Sequence, residues 1–121
     1  LDAPCSGLGS VRRKPESRWR KEPSQLPQLT NMQQELLQAG IAALKPGGYL
    51  LYSTCSPLIP ETNTQIRIAL EANPGLELID AKQPLAKIAP DLVVNAKRKT
   101  VQLWTHRHST DAMFMAILRK P

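Results

Sequence analysis

The sequence is short of aromatics, short of cysteine and free of long apolar runs. Two tryptophans, two tyrosines and one phenylalanine are its only aromatic rings. No apolar stretch approaches the roughly 18 residues that a membrane-spanning helix needs, so no such span is expected. Cysteine occurs twice, at Cys5 and Cys55, which is too few for the disulfide framework of a small secreted domain. With His106 and His108 the two thiols lack the paired ligand spacing of a zinc site, and no metal is expected. Internal repeats and low-complexity tracts are also absent. At 121 residues there is room for one domain with a modest core. The chain opens with Leu1 and runs at once into a motif, from which we expect an excerpt of a longer protein.

What is abundant is positive charge, and it is clustered. The formal charge is +6, and the stretch from Arg12 to Glu22 alone carries Arg12, Arg13, Lys14, Arg18, Arg20 and Lys21 against two glutamates. A second group comprises Lys97, Arg98 and Lys99, followed by His106, Arg107 and His108. Clustered cations point to a polyanion, nucleic acid first and an acidic membrane surface second. A solvated basic loop explains the charge equally well. Trp19 sits inside the first cluster and Trp104 beside the second.

The stretch around which the chain is organised is Tyr49-Leu50-Leu51-Tyr52-Ser53-Thr54-Cys55-Ser56-Pro57, an apolar β-run ending in a polar tip with a thiol. Lys45-Pro46-Gly47-Gly48 stops the element before it, and Pro57 and Pro60 prevent the strand from continuing. Upstream, Leu1-Asp2 reads as the end of another strand, followed by a turn-rich loop through Pro4, Gly7 and Gly9. One or two helical turns are expected around Arg18-Trp19-Arg20. Leu29, Met32, Leu36, Leu37, Ile41 and Leu44 recur at helical spacing, with Gln33, Gln34, Glu35 and Gln38 assigned to the opposite, polar face. A second helix is expected from Glu61 to Asn73, and strands at 76–79, 101–104 and 113–118. Residues 80–99, interrupted by Pro84 and Pro90, read as mostly loop. This order implies an α/β fold with a sheet covered on both faces, its strands parallel except for a late antiparallel β pair.

A thiol at the carboxyl end of a strand lies where open α/β sheets bind ligands. Cysteine is the strongest soft nucleophile available near neutral pH once its thiolate is favoured. Cys55 has hydroxyls from Ser53, Thr54 and Ser56 beside it, and Asp2-Ala3-Pro4-Cys5 offers a carboxylate and a second thiol. Such a set can attack an electrophilic ring and hydrogen-bond the resulting anion. Taken singly, each cysteine reads more readily as buried and structural.

Taken together, Asp2-Ala3-Pro4-Cys5-Ser6-Gly7 and Tyr52-Ser53-Thr54-Cys55-Ser56 resemble the paired signature of the Nop/Sun family of RNA cytosine-5 methyltransferases, nearest to the bacterial branch acting on small-subunit ribosomal RNA. The likeness extends through the Arg18-Trp19 loop, Gln33-Gln34-Glu35-Leu36-Leu37, Lys45-Pro46-Gly47-Gly48, Pro60-Glu61-Thr62-Asn63, the 104–108 segment and Asp111-Ala112-Met113-Phe114. Family members usually have Gly-Phe-Phe where this chain has Ala112-Met113-Phe114. The resemblance implies that 1–121 is the C-terminal half of a Rossmann-like class I methyltransferase domain, a partial catalytic domain whose cofactor-binding N-terminal half lies upstream. It implies S-adenosyl-L-methionine as cofactor, with Asp2 and Pro4 at the cofactor side and Asp2, Cys5 and Cys55 as catalytic residues. It further implies a cytoplasmic monomer whose partner is RNA, ribosomal first and transfer RNA second. Arg12, Arg13, Lys14, Arg18, Trp19 and Arg20 are then the residues expected to hold the RNA.

By this resemblance Cys55 adds to carbon 6 of cytosine, carbon 5 takes the methyl group, and Cys5 assists release of the product. DNA cytosine-5 methyltransferases place their nucleophile in a Pro-Cys motif, which would favour Cys5. The Thr54-Cys55-Ser56 motif belongs to the RNA enzymes, and the assignment of nucleophile follows it to Cys55. The family's glycine-rich cofactor loop and ribose-gripping acid are not found in the sequence, so the chain alone is expected to bind cofactor poorly. Two rival readings remain open: a non-catalytic RNA-binding module, and a dithiol redox protein.

Overall fold

Proline and glycine punctuate the chain, and the elements fall between them. The computed structural model describes residues 1–121. After short 3-10 turns at Leu8–Ser10, Pro15–Arg20 and Pro23–Gln25, the long helix α1 runs over Leu26–Ala43. Glu22 and Gln25 form a reciprocal capping box ahead of it, and Pro27 occupies its first turn, where no helical N–H is lost. Strand β1 is Tyr49–Thr54, followed by a 3-10 turn at Ile59–Glu61 and helix α2 at Asn63–Ala72. Then come β2 (Glu77–Ile79), α3 (Lys82–Ile88), β3 (Val101–Gln102), the single turn α4 (Thr105–His108) and β4 (Phe114–Arg119).

The expected parallel ladders are not what the structure builds. β4 is the hub, and β1, β2 and β3 each pair with it antiparallel. β1 covers one edge of β4 from Phe114 to Arg119, while β2 and β3 share the other edge end to end. The reason lies in the β1–α2–β2 crossover. It carries the chain back to start β2 in the same direction as β1 but two positions away, and the last strand returns through that gap in the opposite sense. The parallel contact is an isolated bridge between Asp2 and Ser53, with Ala3 N donating to Ser53 O and Ser53 N to Leu1 O, both at 2.9 Å.

The main core lies between the sheet and helices α1 and α2. It joins Leu37 and Ile41 of α1, Ile66 and Ala69 of α2, Leu50 and Tyr52 of β1, and Phe114, Ala116 and Leu118 of β4. Tyr52 and Phe114 meet edge to face at 6.3 Å, a geometry adding about 1 kcal/mol beyond area burial. Gly40 lets α1 close on the sheet, since a Cβ there would stand 2.5 Å from Leu50 Cδ1. The other face is covered only in part. Val101, Leu103, Ala81, Met115 and Ile117 pack there, but Tyr49 and Leu51 on β1 are exposed, so the expected cover on both faces is incomplete.

Two local readings also change. Residues 80–99 contain α3, whose start is secured by Asp80 Oδ1 accepting from Lys82 N at 3.0 Å. Gln33 does not sit on a polar face. It is fully buried in the same stripe as Leu37 and Ile41.

Candidate active site at the sheet rim

The strand tip after β1 and the loop after Asp2 are brought side by side by the short parallel bridge between Asp2 and Ser53. The result is that Cys5 Sγ and Cys55 Sγ lie 3.4 Å apart, both half-buried and neither in a disulfide. The loop is stapled further along. Gly9 N donates to Cys55 O and Ala112 N donates to Gly9 O, each at 2.9 Å. Only glycine fits at position 9, because an added Cβ would stand 2.1 Å from Ala112 O and 2.8 Å from Cys55 O.

Beneath the thiols is a carboxylate that the sequence reading did not single out. Glu61 is 0% exposed. It accepts from Ser6 N at 2.7 Å, from Ser6 Oγ at 2.6 Å, from Gln33 Nε2 at 3.1 Å and, closest of all, from Ser56 Oγ. Gln33 Nε2 also donates to Pro4 O at 2.9 Å, and Tyr52 Oη donates to Glu61 O at 2.9 Å. Ser6 follows Cys5 and Ser56 follows Cys55, so one buried acceptor fixes the neighbours of both thiols. A charge so placed is tolerable only because its lone pairs are this fully occupied.

Burial pushes the Cys5 thiol up to about 12, the hydrogen bond with Cys55 and the charges of Cys55 and Glu61 add to this, and a hydrogen bond from the Gly7 backbone opposes it. Cys5 is therefore a neutral thiol at physiological pH. Burial likewise raises Tyr52, helped by the Glu61 charge.

Asp2 and Pro4 are exposed at the rim, with Ser53 Oγ 3.5 Å from Asp2 Oδ1.

The residues expected to hold RNA divide into two sets. Arg12 and Arg13, though exposed, both pair with Asp111, Arg12 Nε at 2.9 Å from Oδ1 and Arg13 Nη2 in still closer contact with Oδ2. The Arg13 guanidinium first, then Arg12, hold the Asp111 carboxyl below the usual carboxylate range. Lys14, Arg18, Trp19 and Arg20 stay on the surface or near it. Trp19 is 79% exposed, with the Arg18 guanidinium 4.8 Å from its ring centroid. Arg18 and Lys21 also line a cleft that reaches Ser6 and Leu8. No helix is long and apolar enough to cross a membrane, and no group of three metal-ligating side chains occurs.

Known proteins resemble this chain in sequence and in fold. The chain is 47% identical over 120 residues to the Mycobacterium tuberculosis protein Rv1407, covering 99% of this chain and 25% of the relative. It is 46% identical over 78 residues to the ribosomal RNA small subunit methyltransferase B of Cronobacter sakazakii, covering 64% of this chain and 18% of that protein. Among solved structures it resembles PH0851, with a TM-score of 0.87, 37% identity, and coverage of 99% of this chain and 26% of that one. It also resembles NSun6 from Pyrococcus horikoshii with SFG, with a TM-score of 0.76, 26% identity, and coverage of 99% and 29%. The fold is thus a Rossmann-like methyltransferase fold, and the chain spans about a quarter of the length of these relatives. The model of the 16S rRNA methyltransferase RsmB/F family matches residues 1–119, and the chain belongs to that family.

Proposed function

We propose that residues 1–121 are the C-terminal part of the catalytic domain of an S-adenosylmethionine-dependent RNA cytosine-5 methyltransferase. Its preferred substrate is ribosomal RNA, with transfer RNA as the second possibility. The observation that carries this reading is the 3.4 Å approach of Cys5 and Cys55 sulfurs above a buried carboxylate clamp. Carbon 5 of cytosine is too weak a nucleophile to accept a methyl group unaided. Cys55 Sγ forms a bond to carbon 6, and the electron pair released from the carbon 5–carbon 6 double bond makes carbon 5 nucleophilic. Bound S-adenosylmethionine supplies the methyl group, and Asp2 and Pro4 would form part of its wall. A water molecule acting as base then takes the carbon 5 proton, and its electron pair restores the double bond and expels the Cys55 thiolate. Attack is assigned to Cys55 by its Thr54-Cys55-Ser56 motif, and Cys5, half-buried 3.4 Å away, assists the expulsion.

The Asp2 carboxylate, exposed three residues before Cys5, would hydrogen-bond the pyrimidine near N3. A base must leave its stack to enter a site of this kind.

The test is covalent trapping in the full-length protein with target RNA. Cys55→Ala should abolish both methylation and any protein–RNA adduct. Cys5→Ala should accumulate the adduct, because attack survives and release is slowed. An adduct formed by Cys55→Ala and lost in Cys5→Ala would reverse the assignment. Titration of the isolated 121-residue chain with S-adenosylmethionine should show weak binding, and micromolar affinity would refute the reading of it as half a cofactor site.

A further inference from the structure

A groove of about 620 Å³ opens beside the loop that carries Cys55. Pro57 and Ile59 form one wall, and Arg98, Trp104, Arg107 and His108 contribute to the rest. No carboxylate lines it. Arg98 and Arg107 are exposed and enter no ion pair, in contrast to Arg12 and Arg13, whose charge is already directed to Asp111. Like Arg18 and Arg20 of the first cluster, these two guanidinium groups are therefore available to an outside anion.

The groove is also held in shape from within. Trp104 N donates to His108 Nδ1 at 2.8 Å, so that nitrogen carries no proton, and Nε2–H is left to donate to Val93 O, also at 2.8 Å. His108 thereby ties the segment around Val93 to α4 and sets the spacing of the walls. Pro57 is two residues beyond Cys55, so the edge of the groove lies within about 7 Å of the Cys55 Cα along the chain.

We propose that this groove takes the nucleotides flanking the base that enters the thiol site. Arg98 and Arg107 contact backbone phosphates and the Trp104 ring offers a stacking face. A single strand suits it better than a duplex, since the flipped base must be continuous with its neighbours. The proposal rests on the RNA methyltransferase reading and assigns part of the substrate path to the 93–108 region, beside the 12–20 segment named as RNA-holding from the sequence.

The experiment measures binding of the full-length protein to a single-stranded RNA oligonucleotide across a salt series, with methylation of the same RNA in parallel. The Arg98→Ala/Arg107→Ala double variant should bind about tenfold more weakly near physiological salt, with a log–log salt slope shallower by about 1.4, the value for two phosphate contacts. Arg98→Lys/Arg107→Lys should retain the wild-type slope. Photo-crosslinking of RNA bearing 4-thiouridine beside the target cytosine should label Trp104. If wild type binds and methylates but the alanine variant keeps its slope and affinity, or crosslinks map only to Trp19, the groove proposal is overturned and the methyltransferase reading stands. If wild type neither binds nor methylates RNA, the methyltransferase reading fails and takes the groove with it.

Discussion

Removing the Glu61 carboxylate should loosen the site and the fold together. In Glu61→Ala the Ser6 backbone N–H loses its acceptor at 2.7 Å and is left buried without a partner. The Ser6 and Ser56 hydroxyls, 3.5 Å apart, can turn partly toward each other, and Gln33 keeps Pro4 O at 2.9 Å. One stranded backbone donor costs about 1–3 kcal/mol, and the weakened hydroxyls and the void add to it, while relief of a buried charge offsets part. The net loss is about 2–4 kcal/mol, or roughly 10 °C in Tm for a domain of this size. Glu61→Gln retains one acceptor oxygen and should lose only about 1 kcal/mol. Denaturant unfolding of the full-length protein measures the stability, and single-turnover methylation measures the consequence for the thiols. The methylation rate should fall in Glu61→Ala by more than RNA affinity does, because Ser6 and Ser56 no longer hold Cys5 and Cys55 in place. If Glu61→Ala unfolds at the wild-type denaturant concentration and methylates at the wild-type rate, the clamp argument is wrong.

Three other outcomes follow from the same geometry. The folded state holds the Cys5 proton from the ordinary value of 9.0 up to about 12, while the unfolded chain releases it, so stability should fall as pH rises through that window. Tyr52 acts in the same direction, and Cys5→Ser should therefore remove only part of the slope seen in urea midpoints at alkaline pH. Asp111 is the opposite case: its contribution is present above the ordinary value of 3.8 and lost as pH falls through its lower folded value, so Asp111→Asn should flatten the acid limb of Tm against pH. The same variant frees Arg12 and Arg13, and RNA binding should tighten with a steeper salt slope. Gly9→Ala should destabilise by about 3 kcal/mol in a thermal-shift assay, since its Cβ would collide with backbone oxygen atoms of Ala112 and Cys55.

How much of this could be read before folding depends on whether the signal was local. The periodicity of Leu29, Leu37 and Ile41 and the Lys45-Pro46-Gly47-Gly48 stop placed α1 and β1 to within a few residues. The pairing of Asp2-Ala3-Pro4-Cys5 with Ser53-Thr54-Cys55-Ser56 pointed to one site, and the sulfurs do meet. Helix α3 was missed because Pro84 reads as a breaker, yet it falls in the first turn, where its missing N–H is not needed. Glu61 was missed because a glutamate opening a helix is normally solvated and favoured there by the helix dipole. A 3-10 turn before α2 directs it inward instead, toward serines that are distant in sequence. Gln33 gave the same false signal, a polar residue at a position whose partners lie on other elements.

Hydrophobic spacing, helix stops and the two thiol motifs were therefore properties of the chain itself, since each depends on residues a few positions apart. The antiparallel placing of β4 between β1 and β2, the capture of Arg12 and Arg13 by Asp111, and the burial of Glu61 between two serine hydroxyls were decided by folding. Each of these joins groups from separate segments, and a carboxylate or guanidinium takes its role from the partner that packing supplies.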